Sequence, residues 1–192
     1  MRPAVFLDRD GVLNRIYLHR DGKTHPPASP GELEILPGVP KACGELRRAG
    51  FLLIVVTNQP DVARGTQRRE VVEAINQQLW RQLPLDDVRV CYHDNPDGCA
   101  CRKPKPGLLL SAADVWDINL AQSYMVGDRL TDIEAGRAVG CKTVLIGGGA
   151  SVKGRSRPDF KAASLVEAAG LILRGTTKSV GKPRQDVLTQ TF

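Results

Sequence analysis

Five short apolar runs, at 4–8, 51–58, 88–93, 123–128 and 143–147, alternate with segments of helical period at 38–49, 67–83, 107–116 and 130–139. In 67–83, Val71, Val72, Ile75, Leu79 and Leu83 fall on one stripe, while Gln77, Gln78 and Arg81 take the opposite side. Strands separated by helices are joined by crossovers, and crossovers of this length build parallel sheets with helices on both faces. The pattern therefore predicts a doubly wound, Rossmann-like α/β fold, in which functional groups collect at the carboxyl ends of the strands. Asp8, Thr57 and Asp128 each stand at such an end.

A chain of 192 residues needs only one core, so a single domain is expected over 1–174, closed by an apolar helix within 162–173. Residues 175–192 lack periodicity and are expected to form a flexible tail. The formal charge of +6 resides mostly in residues 151–192, which hold eight Lys/Arg against three Asp/Glu. A nearly neutral core without an aromatic stacking platform argues against a nucleic-acid partner. No apolar run approaches the roughly 18 residues of a membrane span. The expectation is a cytoplasmic monomer acting on a small molecule.

The segment Val5-Phe6-Leu7-Asp8-Arg9-Asp10-Gly11 sets two carboxylates two positions apart where a buried strand meets a glycine turn. Close carboxylates repel, and a magnesium ion relieves the repulsion while screening an incoming phosphate. Alone, Asp-Gly at a strand end is equally well a simple turn. Three further features accompany it. Thr57-Asn58-Gln59 offers a hydroxyl, amides and backbone N–H groups to phosphate oxygens. Arg102-Lys103-Pro104 supplies cations, and Gly127-Asp128 with Asp132 adds two more acids.

In this order, D-x-D-G, a strand-end Thr, a Lys and G-D-x-x-x-D, the chain over roughly 4–147 resembles the haloacid dehalogenase superfamily of phosphohydrolases. The resemblance implies a phosphatase that works through an aspartyl-phosphate on Asp8. Asp10 would be its general acid and base. Magnesium would be held by the Asp8 and Asp128 carboxylates and the Asp10 carbonyl, and Thr57 and Lys103 would bind the transferring phosphoryl group. Asp132 would orient Lys103 or metal-bound water; the alternative for Asp132 is a helix N-terminal acid favoured by the helix dipole. The segments Gly11–Pro37 and Asn58 to the cysteine loop leave no space for a separate cap domain, so loops 14–30, 59–65 and 91–103 would select the substrate.

Cys91, His93, Cys99 and Cys101 place four zinc donors within eleven residues. Four protein donors leave no open position, which describes a structural zinc site in a loop at 91–101. The competing account is reduced surface thiols or a Cys99–Cys101 disulfide. A fixed Cys101 would also fix Arg102 and Lys103. Cys43 and Cys141 read as packing residues.

The combination C-x-H…C-x-C-R-K-P narrows the resemblance to the zinc-bearing subgroup that includes heptose bisphosphate phosphatases and histidinol-phosphate phosphatases. Thr57-Asn58-Gln59 with Val62-Ala63-Arg64-Gly65 lies closer to the former, which serve nucleotide-activated heptose and lipopolysaccharide core synthesis. That resemblance implies substrate contacts from Arg102 and Arg129, and Asn58 and Gln59 are read as further substrate-binding donors beside Thr57. Where the subgroup commonly has Ser-Gly after T-N-Q, this chain has Pro60-Asp61, which removes one backbone donor and adds a negative charge near the entrance. His19 and His25 sit in a loop after the acid pair and read as solvated loop residues, with a contact to substrate as the alternative. A phosphoacceptor signalling module also uses a doubly wound sheet, but needs neither the second aspartate nor the cysteine loop.

Overall fold

Every residue of β1 (Ala4–Leu7) is fully buried, because the strand lies at the middle of the sheet with helices over both faces. In the computed structural model, which describes residues 1–18, 22, 24–147 and 157–177, six parallel strands run in the order β5-β4-β1-β6-β7-β8. These are β4 (Leu52–Asn58), β5 (Asp87–Cys91), β6 (Tyr124–Gly127), β7 (Lys142–Ile146) and β8 (Phe160–Ala162). The helices are α1 (Val39–Arg48), α2 (Arg69–Gln82), α3 (Gly107–Trp116), α4 (Leu130–Ala138) and α5 (Leu165–Thr177).

Strand alternation divides the core in two. Val5 and Leu7 face a cluster with Leu46 of α1, Leu79 of α2 and Ile172 of α5. Ala4 and Phe6 face the other side, with Leu109 of α3 and Ala135 of α4. Burial on both sides explains why β4 reads as the unbroken apolar run Leu52-Leu53-Ile54-Val55-Val56 rather than as an alternating pattern.

The chain leaves β1 for β4 and β5 on one side, then returns across the sheet to β6, β7 and β8 on the other. The reversal falls at β1, so a crevice opens beyond the carboxyl ends of β4, β1 and β6. Asp8, Thr57 and Asp128 all sit at that edge.

The elements anticipated from periodicity form where expected, with α3 matching to the residue. Two details differ. The apolar segment from 162 does not begin as a helix: 160–162 adds an edge strand beside β7, and the helix starts at Leu165 and runs to Thr177, past the limit at 174. Three residues give too short a window for a strand period to emerge from sequence. The loop after the acid pair also contains a small antiparallel hairpin, β2 (Tyr17–Leu18) with β3 (Thr24–His25). Among the described residues no separate cap domain interrupts the sheet, and no helix is long and apolar enough to cross a membrane. His19, the segment 148–156 and residues 178–192 of the expected tail lie outside the described residues.

Phe6 is 0% exposed in the central strand, and its truncation to alanine should reduce unfolding free energy by about 3–5 kcal/mol. Urea unfolding followed by circular dichroism should show a lower midpoint with an unchanged slope. A loss under about 1 kcal/mol would contradict the core assignment.

Candidate active site and metal-binding loop

Lys103 is buried, with 3% exposure, and its ammonium needs compensating partners in that setting. Its Nζ lies 2.9 Å from Asp8 Oδ1, 2.6 Å from Asp132 Oδ1 and donates to the Val56 carbonyl at 2.8 Å. Burial opposes the charge on Lys103, but Asp132 and Asp8 outweigh it and hold the ammonium's pKa above the ordinary value. The lysine therefore ties the ends of β1 and β4 to the start of α4.

One oxygen each of Asp8, Asp128 and Asp132 lies within 4.8 Å of the others. Burial pushes the Asp8 carboxyl up to about 7, with Lys103 pulling it down and Asp132 and Asp10 adding to the rise. Burial likewise raises Asp128 to about 6, with Asp132 adding to it. Asp128 Oδ1 is buried without a hydrogen-bond partner, and Arg129 Nε approaches it only to 4.0 Å. A carboxylate cluster with an orphaned inward oxygen is a donor set suited to a hard divalent cation such as magnesium.

Two glycines permit the crowding. Gly11 has φ +83°, and a Cβ there would lie 2.5 Å from Asp128 Oδ2. A Cβ on Gly127 would lie 2.2 Å from the Asp132 Cβ. Asp132 performs both roles that the sequence left open: Oδ1 meets Lys103, while Oδ2 accepts from the Arg129 backbone N–H at 3.0 Å and caps α4.

Asp10 is set apart from the three-acid cluster. Arg9, itself 0% exposed, grips both oxygens, with Nε at 3.1 Å from Oδ1 and Nη2 at 3.0 Å from Oδ2. Asn14 Nδ2 donates at 2.9 Å and Gln59 Nε2 at 2.8 Å. Burial works against the Asp10 charge, but Arg9 first, then Asn14 and Gln59, hold its pKa below the usual carboxylate value. Asn76 of α2 accepts from Arg9 Nη1 at 2.9 Å and completes the support.

Asp8, Asp10, Thr57, Asn58, Gln59, Arg102, Lys103 and Arg129 all line one cavity of about 570 Å³, together with His25, Asp61 and Arg64. Two of them have roles beyond those read from sequence. The Asn58 side chain, anticipated as a phosphate donor, bonds the Lys103 backbone in both directions at 3.1 Å. Gln59 bridges Thr57 Oγ1, at 2.9 Å, and Asp10. Sequence reasoning passed over Arg9, Asn14 and Asn76. The available signal was Arg9 itself, since an arginine at the end of a fully apolar strand must find buried partners.

The loop after β5 brings four donors together. Cys101 Sγ lies 3.2 Å from Cys91 Sγ, 3.5 Å from Cys99 Sγ and 3.3 Å from His93 Nδ1, and Cys91 Sγ lies 3.8 Å from Cys99 Sγ. Metal–sulfur bonds of about 2.3 Å in a tetrahedron give edges near 3.8 Å, so the set fits zinc through three thiolates and one imidazole. No disulfide links these cysteines. The buried thiols of Cys43 and Cys141 are both pushed up to about 12, in keeping with packing roles. Gly107 lets α3 start against the loop, its N–H donating to the Ala100 carbonyl at 3.1 Å where a Cβ would clash.

A family profile described as HAD-hydrolase-like matches residues 100–168. The chain is 40% identical over 159 residues to the D-glycero-beta-D-manno-heptose-1,7-bisphosphate 7-phosphatase of Escherichia coli strain K12, covering 75% of this chain and 78% of that protein. It is 37% identical over 183 residues to the Yersinia pestis protein of the same name, covering 86% and 92%. Among solved structures, the D,D-heptose 1,7-bisphosphate phosphatase of B. bronchiseptica, complexed with magnesium and phosphate, superposes with a TM-score of 0.74 at 30% identity. That match covers 90% of this chain and 99% of the other.

Two measurements probe the metal sites. Asp8 and Asp128 have folded-state pKa values raised above the unfolded ones, so in metal-free protein their stabilising contribution is full below about pH 4 and disappears as pH rises through 6 to 7. Magnesium needs them deprotonated, and the rise in melting temperature on adding it should be larger at pH 8 than at pH 5. Equal rises at both pH values would contradict the carboxylate site. Chelation of zinc, verified by metal analysis, should lower the melting temperature and increase amide exchange across 91–103. An unchanged exchange pattern would contradict the structural zinc.

Proposed function

The chain belongs to the D-glycero-beta-D-manno-heptose-1,7-bisphosphate 7-phosphatase family, within the HAD-like hydrolases, and on that premise we propose that it hydrolyses the C7 phosphate of this sugar bisphosphate. The observation that carries the reading is the convergence of Asp8, Asp128, Asp132 and Lys103, of which Asp8, Asp132 and Lys103 line the buried part of the cavity.

Asp8 is the proposed nucleophile. Its Oδ1 accepts from the Arg9 backbone N–H at 2.8 Å and meets Lys103, which orients the carboxylate and leaves Oδ2 for in-line attack on phosphorus. As the new bond to Asp8 forms, the bond from phosphorus to the sugar oxygen breaks. Lys103 and the Thr57 hydroxyl stabilise the charge that spreads over the phosphoryl oxygens. Asp8, Asp128 and the Asp10 carbonyl would hold a magnesium ion, which would supply further positive charge to the transferring phosphoryl group.

Asp10 donates its proton to the departing sugar oxygen. Arg9 favours the carboxylate form, whereas burial and the dianionic substrate favour protonation, so substrate binding itself shifts Asp10 towards the acid form. After the sugar leaves, Asp10 takes a proton from water, whose oxygen attacks phosphorus as the Asp8–phosphorus bond breaks. Arg102 and Arg129 are the proposed contacts to the rest of the sugar, with Asn58 and Gln59 acting on substrate through the backbone of Lys103 and the hydroxyl of Thr57. We place the enzyme in the cytoplasm as a single-domain monomer; its unpaired cysteines suit a reducing compartment.

Asp8→Asn should lower kcat by at least about a thousandfold, and Asp10→Asn by about a hundred- to ten-thousandfold, with circular dichroism unchanged. Phosphorus NMR of the wild-type reaction should show the C7 resonance lost while the C1 phosphate persists, with histidinol phosphate a poor competitor. Retained activity in either variant, or release from C1, would refute the assignment.

A further inference from the structure

The outer wall of the cavity carries three arginines, Arg64, Arg102 and Arg129, and one acid away from the phosphoryl centre, Asp61. The two arginines on neighbouring loops are already engaged. Asp94 takes the fork of Arg64, accepting from Nε at 2.7 Å and Nη2 at 2.9 Å. Arg102 donates Nε to Asn95 at 2.8 Å and Nη1 to the His93 carbonyl at 3.2 Å, with Nη2 3.4 Å from Asp94. These contacts anchor Arg64 to the zinc loop and leave its Nη1 as the free end of the guanidinium. Asp61 covers that end, accepting from Nη1 at 3.2 Å. Arg64 and Arg102 are thus matched in charge by Asp61 and Asp94, while Arg129 stands outside this set.

A sugar bisphosphate with one phosphate at Asp8 must direct its other phosphate elsewhere along the cavity. An arginine end with two N–H donors is a natural phosphate contact, and a carboxylate on the same end competes with the phosphate and repels it. Resting on the phosphatase reading above, we propose that Asp61 is a selectivity residue: by covering Arg64 Nη1, it weakens the hold of the rim on a second phosphate group. It acts through Arg64, so its effect belongs to substrate binding and leaves the chemical step alone.

Asp61→Asn tests this with little risk to the loop, because the turn is held by the Asp61 carbonyl, which accepts from the Thr66 and Gln67 backbone N–H groups at 3.0 Å. Steady-state kinetics would compare heptose 1,7-bisphosphate with heptose 7-phosphate, and in parallel fructose 1,6-bisphosphate with fructose 6-phosphate. The expected result is a KM for bisphosphates about threefold to tenfold lower, with kcat and the monophosphate KM within about twofold of wild type. The gain should shrink between about 50 and 500 mM NaCl, and should be absent when Asp61→Asn is made in an Arg64→Met background. An unchanged or higher bisphosphate KM, a parallel fall for monophosphates, or a gain that survives without Arg64 would overturn the proposal. If only the fructose pair turns over, the heptose assignment fails while the role of Asp61 is still decided by that pair.

Discussion

The ammonium of Lys103, enclosed by Asp8, Asp132 and the Val56 carbonyl, is the interaction on which the rest of the site depends. A buried cation without counter-charges is strongly unfavourable, and so are the clustered acids without it. Each therefore stabilises the presence of the other. Because Asp8 follows β1, Val56 belongs to β4 and Asp132 lies in α4, satisfying this one side chain brings three elements into a fixed relation. The arrangement remains rich in negative charge, which is why burial raises Asp8 and Asp128 and why a divalent cation suits the position.

Lys103 itself arrives on a loop, and loops position side chains poorly unless they are anchored. Here the anchoring is doubled. Asn58 grips the Lys103 backbone from the end of β4, and the Cys91, His93, Cys99 and Cys101 cluster ties down the preceding turn. The four clustered donors stand close in sequence to the lysine, so a constraint on sulfur geometry becomes a constraint on the position of Lys103. Glycine serves the same end from the opposite side: at 11 and 127 any side chain would occupy space that Asp128 and Asp132 require.

The proposed acid–base and charge-stabilising groups are held separately. Asp8, Asp128 and Asp132 gather around the place suited to a cation, whereas Asp10 is drawn away by Arg9, Asn14 and Gln59. Two carboxylates only two residues apart thus experience opposite fields, one raised by burial and the other lowered by a guanidinium. Such divergence equips neighbouring acids for different proposed tasks, nucleophile and proton carrier.

The sequence by itself determined the doubly wound class, because strand and helix periods are local and alternate without interruption. It determined the acids and hydroxyl at the strand ends and the Cys/His cluster suited to zinc for a similar reason: D-x-D-G, C-x-H and C-x-C are short patterns whose chemistry is carried by residue type and spacing. Tertiary structure alone decided which partners those groups acquire. Asn58 could be read as a phosphate donor until β4 and the zinc loop came together and directed its amide to Lys103. Arg9 found Asn76 at a separation of 67 residues, and Arg64 found Asp94 at 30, pairings that no local pattern encodes. The strand at 160–162 likewise owes its form to hydrogen bonds from β7 rather than to its own three residues, and long-range packing is what fixes such contacts.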